Sequence, residues 1–269
     1  MSLTSFISTS RVELQFNGRR AVRRVSRSDI VRAADPGVLE HYMAERIPTY
    51  YRDPDSIAAD LRDGYFLRAI ADTLARLPEA DSFRDSHFGE LIATEFAIAA
   101  MGLRLLYSKL RLLTAENSNA YKMDVVLYDP ETDPIELVFL EVKSSFKEAG
   151  GTAPGHDRSI YKALFDSLNA YAKSDLRYDL TAARDRLADI RTDDRQRVTD
   201  ALTQYGGPTV RYAGVCSIDI ETFVSDEASL LATRSNQKNF DVELLCVAEF
   251  AQVIDATYAK LEAIRDASC

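Results

Sequence analysis

The sequence predicts an α/β protein in which a mixed central β-sheet is flanked by helices. Long segments with apolar residues at helical spacing alternate with short runs rich in apolar and β-branched residues, and Gly, Pro or Asp clusters separate them. From about residue 86 the predicted order is a helix, three strands, a helical region, two strands and a final helix. Such an order is typical of helices packed against one sheet.

Residues 1–80 are predicted to form an N-terminal extension that packs on a main domain of residues 81–269. The extension opens with a predicted β-hairpin. Val12–Phe16 alternates apolar and polar residues, Asn17-Gly18 is a strong signal for a hairpin turn, and Ala21–Val25 can form the returning strand.

Helical periodicity predicts two helices in the extension and one at the start of the main domain. The last of them is expected to end at Gly102, because glycine readily adopts the left-handed conformation that closes helices. The three helices are predicted at residues 38–50, 55–77 and 86–101.

Two neighbouring strands are predicted at the centre of the sheet. Residues 122–129 and 136–143 are separated by an Asp- and Pro-rich turn at residues 129–134. Leu137–Leu140 is continuously apolar, which indicates a strand covered on both faces. The other predicted elements are a strand at residues 103–107, a helix at 157–173, a helical insertion at about 174–205, strands at 210–220 and 241–247, and a helix at 249–265.

Composition limits the class of protein. With 269 residues, 46% of them hydrophobic, the chain can bury a large core. No apolar run approaches the roughly 20 residues that span a bilayer. Residues 1–6 show no basic region followed by an apolar one, so secretion is not expected. Its scattered cysteines, Cys216, Cys246 and Cys269, favour reduced thiols in a cytoplasmic protein over disulfides or a zinc site.

The charge balance opposes independent binding to nucleic acid. Lys and Arg number 33 against 42 Asp and Glu, a net charge of −9, whereas phosphate contacts require a basic surface. Residues 1–35 differ, since they carry seven arginines and three acids. Three interpretations of this stretch stay open: contact with phosphates, docking of an acidic partner, or a solvated edge.

Three charged residues are predicted to meet on the central strands. Glu141 and Lys143 are two apart in one strand and therefore share a face. If the two strands form a hairpin, the register that places Asp129 opposite Glu136 also places Asp124 opposite Glu141. Opposed Cβ atoms lie about 4.5–5.5 Å apart, and two carboxylates that close favour a cation between them.

This arrangement suits metal-dependent hydrolysis of a phosphodiester, and the chain is therefore predicted to be a nuclease. Asp124 and Glu141 would hold Mg²⁺, or Mn²⁺, with the carbonyl of Val142 as a third ligand. The metal would activate water and stabilise charge on the phosphate. Lys143 would orient the water or offset the developing charge. Glu90, on the preceding helix, would bind the metal through water or bind a second metal ion.

Two other residues of this helix, Glu95 and His87, are candidates for the site beside Glu90. Glu95 competes with it on the same helix, and His87 lies one turn earlier on the same face. His87 is interpreted as a polar residue of the helix start in preference to a proton donor.

The order of Glu90, Asp124 and Glu141-Val142-Lys143 on helix, strand and strand resembles the PD-(D/E)xK restriction-endonuclease-like superfamily. The resemblance covers roughly residues 84–220, and Met123 stands where the motif name has proline. It implies a restriction-endonuclease-like core in which these residues form a metal-dependent catalytic site.

A narrower resemblance is carried by two segments, Phe88–Ala93 and Leu140–Ser145. They resemble HamA, the nuclease subunit of the Hachiman anti-phage defence system. This resemblance implies a DNase that works with a helicase partner, HamB, and is restrained by it until foreign or damaged DNA is sensed.

Two alternative hypotheses keep the fold and change the function. One is a catalytically inactive nuclease-fold module for binding or assembly, and the other is an RNA-directed nuclease, since no base-reading motif is visible. A serine hydrolase and a P-loop ATPase are disfavoured, because the sequence has neither a Gly-x-Ser-x-Gly elbow nor a Gly-x-x-x-x-Gly-Lys loop.

Overall fold

The computed structural model describes ten stretches of the chain: residues 2–14, 25–31, 37–65, 72–78, 81–112, 123–145, 160–171, 176–190, 192–232 and 240–268. The strands are β1 (Ile7–Glu13), β2 (Val25–Ile30), β3 (Arg104–Ser108), β4 (Val125–Asp129), β5 (Glu136–Ser145), β6 (Thr209–Asp219) and β7 (Phe240–Val247). The α-helices of the described stretches are α1 (Val38–Tyr51), α2 (Pro54–Arg62), α3 (Asp81–Met101), α4 (Lys109–Leu112), α5 (Ile160–Tyr171), α6 (Arg177–Asp185), α7 (Thr192–Thr203), α8 (Ser225–Ala228) and α9 (Phe250–Ser268).

The seven strands of the described stretches belong to one mixed sheet, in the order β1-β2-β7-β6-β5-β4-β3. The β1–β2, β3–β4 and β4–β5 pairs are antiparallel, whereas β5–β6, β6–β7 and β2–β7 are parallel. Helices flank this sheet, so the predicted α/β class with a mixed central sheet is confirmed.

The central strand β5 is covered on both faces, as its apolar run predicts. Val138, Leu140 and Val142 pack in one cluster with α1, α3 and α9. Leu137 and Phe139 pack in the opposite cluster with α5, α6 and α7. Because side chains alternate along a strand, β5 contributes to both layers of the core.

The β4–β5 register agrees with the predicted one, from Val125 opposite Leu140 to Asp129 opposite Glu136. The extent of β4 differs, however. This strand begins at Val125, so Asp124 lies just before it instead of within it. The side chain of Asp124 accepts the backbone N–H of Val142, which replaces a backbone pair and ends the ladder.

The N-terminal strands extend the sheet. Strands β1 and β2 pair antiparallel, and β2 joins β7. Strand β1 begins at Ile7, before the predicted Val12, and β2 runs on to Ile30, past the predicted Val25, so these two limits were wrong. Residues 15–24, which include Asn17-Gly18 and most of the predicted returning strand, lie outside the described residues. The division of the chain at residue 80 stays a prediction.

One predicted helix, residues 55–77, was wrong as a single element. Helix α2 ends at Arg62 because Gly64 adopts a left-handed conformation, with φ of +82°, and such a residue closes a helix. Gly102 ends α3 in the same way, with φ of +71°, as predicted. Within the described stretches, no helix has the length and apolar character needed to cross a membrane.

Candidate active site

A notch in the sheet forms where β4 begins. Strand β5 pairs with β6 along its full length, from Glu136 to Ser145, but its pairing with β4 stops at Leu140. Asp124 occupies the notch. Its Oδ2 accepts the N–H of Val142 at 2.7 Å, and its backbone carbonyl accepts the N–H of Lys109 at 3.0 Å. These two contacts fix Asp124 between β5 and α4.

Glu141 and Lys143 lie on one face of β5 beside this notch. Lys143 Nζ donates to Glu141 Oε1 at 2.5 Å. Glu141 is only 2% exposed, while the side chain of Lys143 is 32% exposed. Glu141 Oε2 is buried and makes no hydrogen bond within the described part of the chain. Within the described residues, the buried Glu141 carboxylate is therefore bonded to Lys143 through Oε1, and its Oε2 accepts no hydrogen bond.

Glu90 reaches the same region from α3. It is 4% exposed and accepts a hydrogen bond from Ser108 Oγ at 3.1 Å. Lys109 Nζ lies 3.3 Å from Glu90 Oε2 and also contacts Asp124 Oδ1. The structure therefore brings together Glu90, Asp124, Glu141 and Lys143, and it adds a second lysine. We call the three acids the carboxylate cluster.

Gly89 allows α3 to approach β5 closely. A Cβ atom built on Gly89 would lie 2.2 Å from Ser144 Cβ and 2.4 Å from Ser144 Oγ, so any larger residue would force α3 and β5 to shift. Ser217 Oγ donates to the Gly89 carbonyl at 3.3 Å. Because Glu90 follows directly, this contact sets the position from which Glu90 enters the cluster.

Glu95 does not join the cluster, although it lies on the same helix. Its carboxylate accepts hydrogen bonds from Tyr42, from Tyr50 at 2.6 Å and from Arg46 at 3.0 Å. Glu95 therefore ties α3 to α1. His87 bonds through Nδ1 to the Tyr51 hydroxyl at 2.7 Å, and burial together with the charge of Lys109 lowers its pKa to about 4.

Burial disfavours the ionised forms of the acids in the carboxylate cluster. It raises the pKa of Glu90 to about 8, with Lys109 opposing and Asp124 adding to the shift. Burial and the charge of Asp124 raise the pKa of Glu141 to about 7, with Lys143 opposing. Three acids face two lysines, so added positive charge would favour their ionised forms.

The donor set fits a small, hard cation. Among the described residues, no group of three His, Cys, Asp or Glu side chains is placed to hold one ion. Mg²⁺, however, commonly uses one or two carboxylates with water and substrate phosphate, and Asp124 and Glu141 supply two. The Val142 carbonyl points to the same side as its N–H, towards Asp124. Glu141 Oε2, which accepts no hydrogen bond from the described residues, also fits such an ion.

Three residues near the cluster were missed in the sequence. Ser108 is the last residue of β3 and Lys109 follows it, and the β3–β4 register places Ser108 opposite Val125. The same register continued by one residue pairs Lys109 with Asp124, and this is the signal that could have identified Lys109. The third is Tyr171 at the end of α5, whose pKa is raised by burial and by the nearby carboxylates. No sequence pattern pointed to Tyr171, because its position depends on helix packing.

Fold and site together define a mixed α/β protein with a buried carboxylate cluster and two lysines at a notch of its sheet. The chain belongs to the HamA family, whose family model matches residues 16–261. This confirms the narrower resemblance and indicates a role in anti-phage defence, while membership of the PD-(D/E)xK superfamily stays a prediction. A search of curated proteins finds no match to the chain.

Proposed function

We propose that the chain is a metal-dependent nuclease that hydrolyses DNA phosphodiester bonds and acts as the effector of an anti-phage defence complex. The observation that carries this proposal is the placement of Asp124 opposite the Glu141 end of β5, with Lys143 bonded to Glu141. Membership of the HamA family supports the defence role.

In this proposal Asp124, Glu141 and the Val142 carbonyl hold Mg²⁺ or Mn²⁺, and Glu90 assists through water or at a second ion. A divalent cation at this position supplies a Lewis acid that activates water and offsets charge on the phosphate. Hard oxygen donors select such cations over softer metals.

In this proposal the groups of the protein position the metal ligands and the attacking water and neutralise the charge that develops on the phosphate. The N–H of Val142 holds Asp124 in one orientation. Glu141 holds the ammonium group of Lys143 beside the notch, and the partial exposure of that lysine leaves it within reach of solvent. Lys143 is therefore placed to orient the attacking water or to stabilise the negative charge that develops on the phosphate.

Cleavage should require Mg²⁺ or Mn²⁺ and should stop in EDTA. Ca²⁺ should permit substrate binding without turnover, because its looser coordination activates water less well. The measurement is cleavage of single- and double-stranded DNA, and of RNA, with each cation added to chelated protein. Faster cleavage of RNA would favour the RNA-directed alternative.

The Lys143→Ala variant is the control for a contaminating nuclease. Undiminished cleavage in EDTA would contradict a metal mechanism. No cleavage of any substrate under any cation, by protein whose fold is verified, would favour the inactive binding module.

We further propose that a helicase-type partner delivers the chain to DNA. The net charge of −9 opposes association with a polyanion. Two N-terminal arginines among the described residues are already engaged within the chain, Arg11 with Glu243 at 3.3 Å and Arg27 with Asp29 at 2.6 Å. A partner would supply a basic surface for contact with DNA.

The isolated chain should therefore bind DNA weakly, with a dissociation constant above the micromolar range at physiological salt. A helicase-type protein expressed from the same operon should co-purify with it and restrain cleavage until DNA is engaged. The measurement compares DNA binding and cleavage with and without that protein and ATP. Sub-micromolar DNA binding and rapid cutting by the isolated chain would contradict this proposal.

A further inference from the structure

We propose that Lys109 is a built-in counter-ion of the candidate metal site. Its ammonium group neutralises Asp124 and Glu90 in the cation-free protein and must leave Asp124 before that carboxylate can serve a divalent cation. This inference rests on the proposed function, because it takes Asp124 to be a metal ligand.

The contacts of Lys109 support this role. Its Nζ bonds to Asp124 Oδ1 and lies 3.3 Å from Glu90 Oε2, so one ammonium group bridges two acids from different elements. The other oxygen of Asp124 is engaged by the N–H of Val142. Both oxygens of the proposed ligand are thus occupied by donors, and one of these donors is a lysine ammonium group.

The backbone of Lys109 is held in place, whereas its side chain reaches solvent. Its own N–H is held by the Asp124 carbonyl at 3.0 Å, which anchors the residue at the start of α4. The side chain is 35% exposed, so a route to solvent lies open to the ammonium group. Lys143 differs, since among the described residues its ion pair is with Glu141 and with neither Asp124 nor Glu90.

Two cations on one carboxylate repel each other strongly in a buried site, where the effective dielectric constant is low. Lys109 should therefore weaken cation binding in the resting protein. A substrate phosphate near the site would attract the released ammonium group. Cation and phosphate should consequently bind with positive coupling, each raising the affinity for the other.

The test measures Mn²⁺ binding by titration calorimetry, without nucleic acid. Lys109→Met should bind Mn²⁺ about tenfold more tightly than the parent chain, because the competing charge is gone. Lys109→Arg, which keeps the charge, should stay near the parent affinity. Lys143→Met also removes one positive charge, but one that does not contact Asp124, so its Mn²⁺ affinity should rise less. Lys162→Met removes a surface lysine paired with Asp166 and should change nothing.

Thermal unfolding provides a readout independent of catalysis. In EDTA, Lys109→Met should melt below the parent chain, because the carboxylates lose their counter-ion, and saturating Mn²⁺ should raise its Tm more than that of the parent. If Lys109→Met does not fold, Lys109→Gln removes the charge and keeps two hydrogen-bond donors.

The outcomes separate the two proposals. If the parent protein binds Mn²⁺ and the folded, charge-neutral Lys109 variants bind it no more tightly, the counter-ion role of Lys109 is overturned and the metal site is not. A gain in Lys143→Met equal to that in Lys109→Met also overturns it, because the effect would then be general electrostatics. If neither parent nor variants bind Mn²⁺ at millimolar concentration, the metal site fails and both proposals fall together.

Discussion

Replacing Glu141 with Gln should abolish DNA cleavage in Mg²⁺ while the protein stays folded, and Lys143→Ala should do the same. Each variant should lose about 10²–10³-fold in turnover, the order seen when one charge-stabilising group is removed from an active site. Glutamine keeps the shape of the buried side chain at 2% exposure but removes the charge that would hold a cation. The measurement is single-turnover cleavage by variants whose fold is verified by circular dichroism.

Glu95→Gln is the matched control, since Glu95 is also a buried acid but lies outside the carboxylate cluster. It should lose about 2 kcal/mol of stability, because Tyr42 and Tyr50 lose a charged acceptor. Its turnover below the unfolding temperature should stay near the parent value. Parent-level cleavage by folded Glu141→Gln or Lys143→Ala would show that the site is misassigned.

The same Glu141→Gln variant should gain stability at high pH in the absence of cations. Burial raises the pKa of Glu141 from 4.5 to about 7, so the folded state favours the protonated acid. This contribution is fully present below pH 4.5 and is lost as pH rises through 7. Urea unfolding in EDTA should find the variant more stable than the parent at pH 8, by on the order of 2 kcal/mol, with little difference near pH 4.5.

Gly89→Ala should damage both the fold and the activity. The new Cβ would lie 2.2 Å from Ser144 Cβ, so α3 must move away from β5 and carry Glu90 with it. Overpacking of this kind costs about 1–3 kcal/mol, and a shift of about 1 Å at a catalytic group can cost 10²-fold in rate. Urea unfolding and cleavage rates measure the two effects.

Ser144→Gly should restore much of what Gly89→Ala loses. It removes the clashing Cβ and Oγ, and the nearest remaining atom is Ser144 Cα at 3.6 Å from the new Cβ. Glycine in a strand has its own cost of about 1 kcal/mol, so a double-mutant cycle is needed to isolate the coupling.

Gly214→Ala is the comparison at the other face of the sheet. Its Cβ would meet the flexible end of Leu168 at 2.7 Å, a side chain that can turn away, so the loss should be smaller. Parent stability and activity in Gly89→Ala, or a double variant without recovery, would contradict the proposed role of the α3–β5 contact.

Several features followed from the sequence because their causes are local. Alternation along β5 placed Glu141 and Lys143 on one face, and the short turn after Asp129 set the β4–β5 register. Gly102 ended α3 through its own backbone freedom. In each case the neighbouring residues alone determine the geometry, so a pattern of a few positions is sufficient.

Other features depend on distances between elements far apart in sequence, and only the tertiary structure decided them. Helix packing brings Glu90 to Asp124 and sends Glu95 to Tyr50, although both acids lie on one helix. The same packing brings α3 so close to Ser144 that only glycine avoids a clash at position 89. The second lysine, Lys109, reaches Asp124 because β3 pairs with β4. The sequence by itself thus determined the strand register and the central charged residues, and tertiary packing decided which helical acid and which second cation complete the cluster.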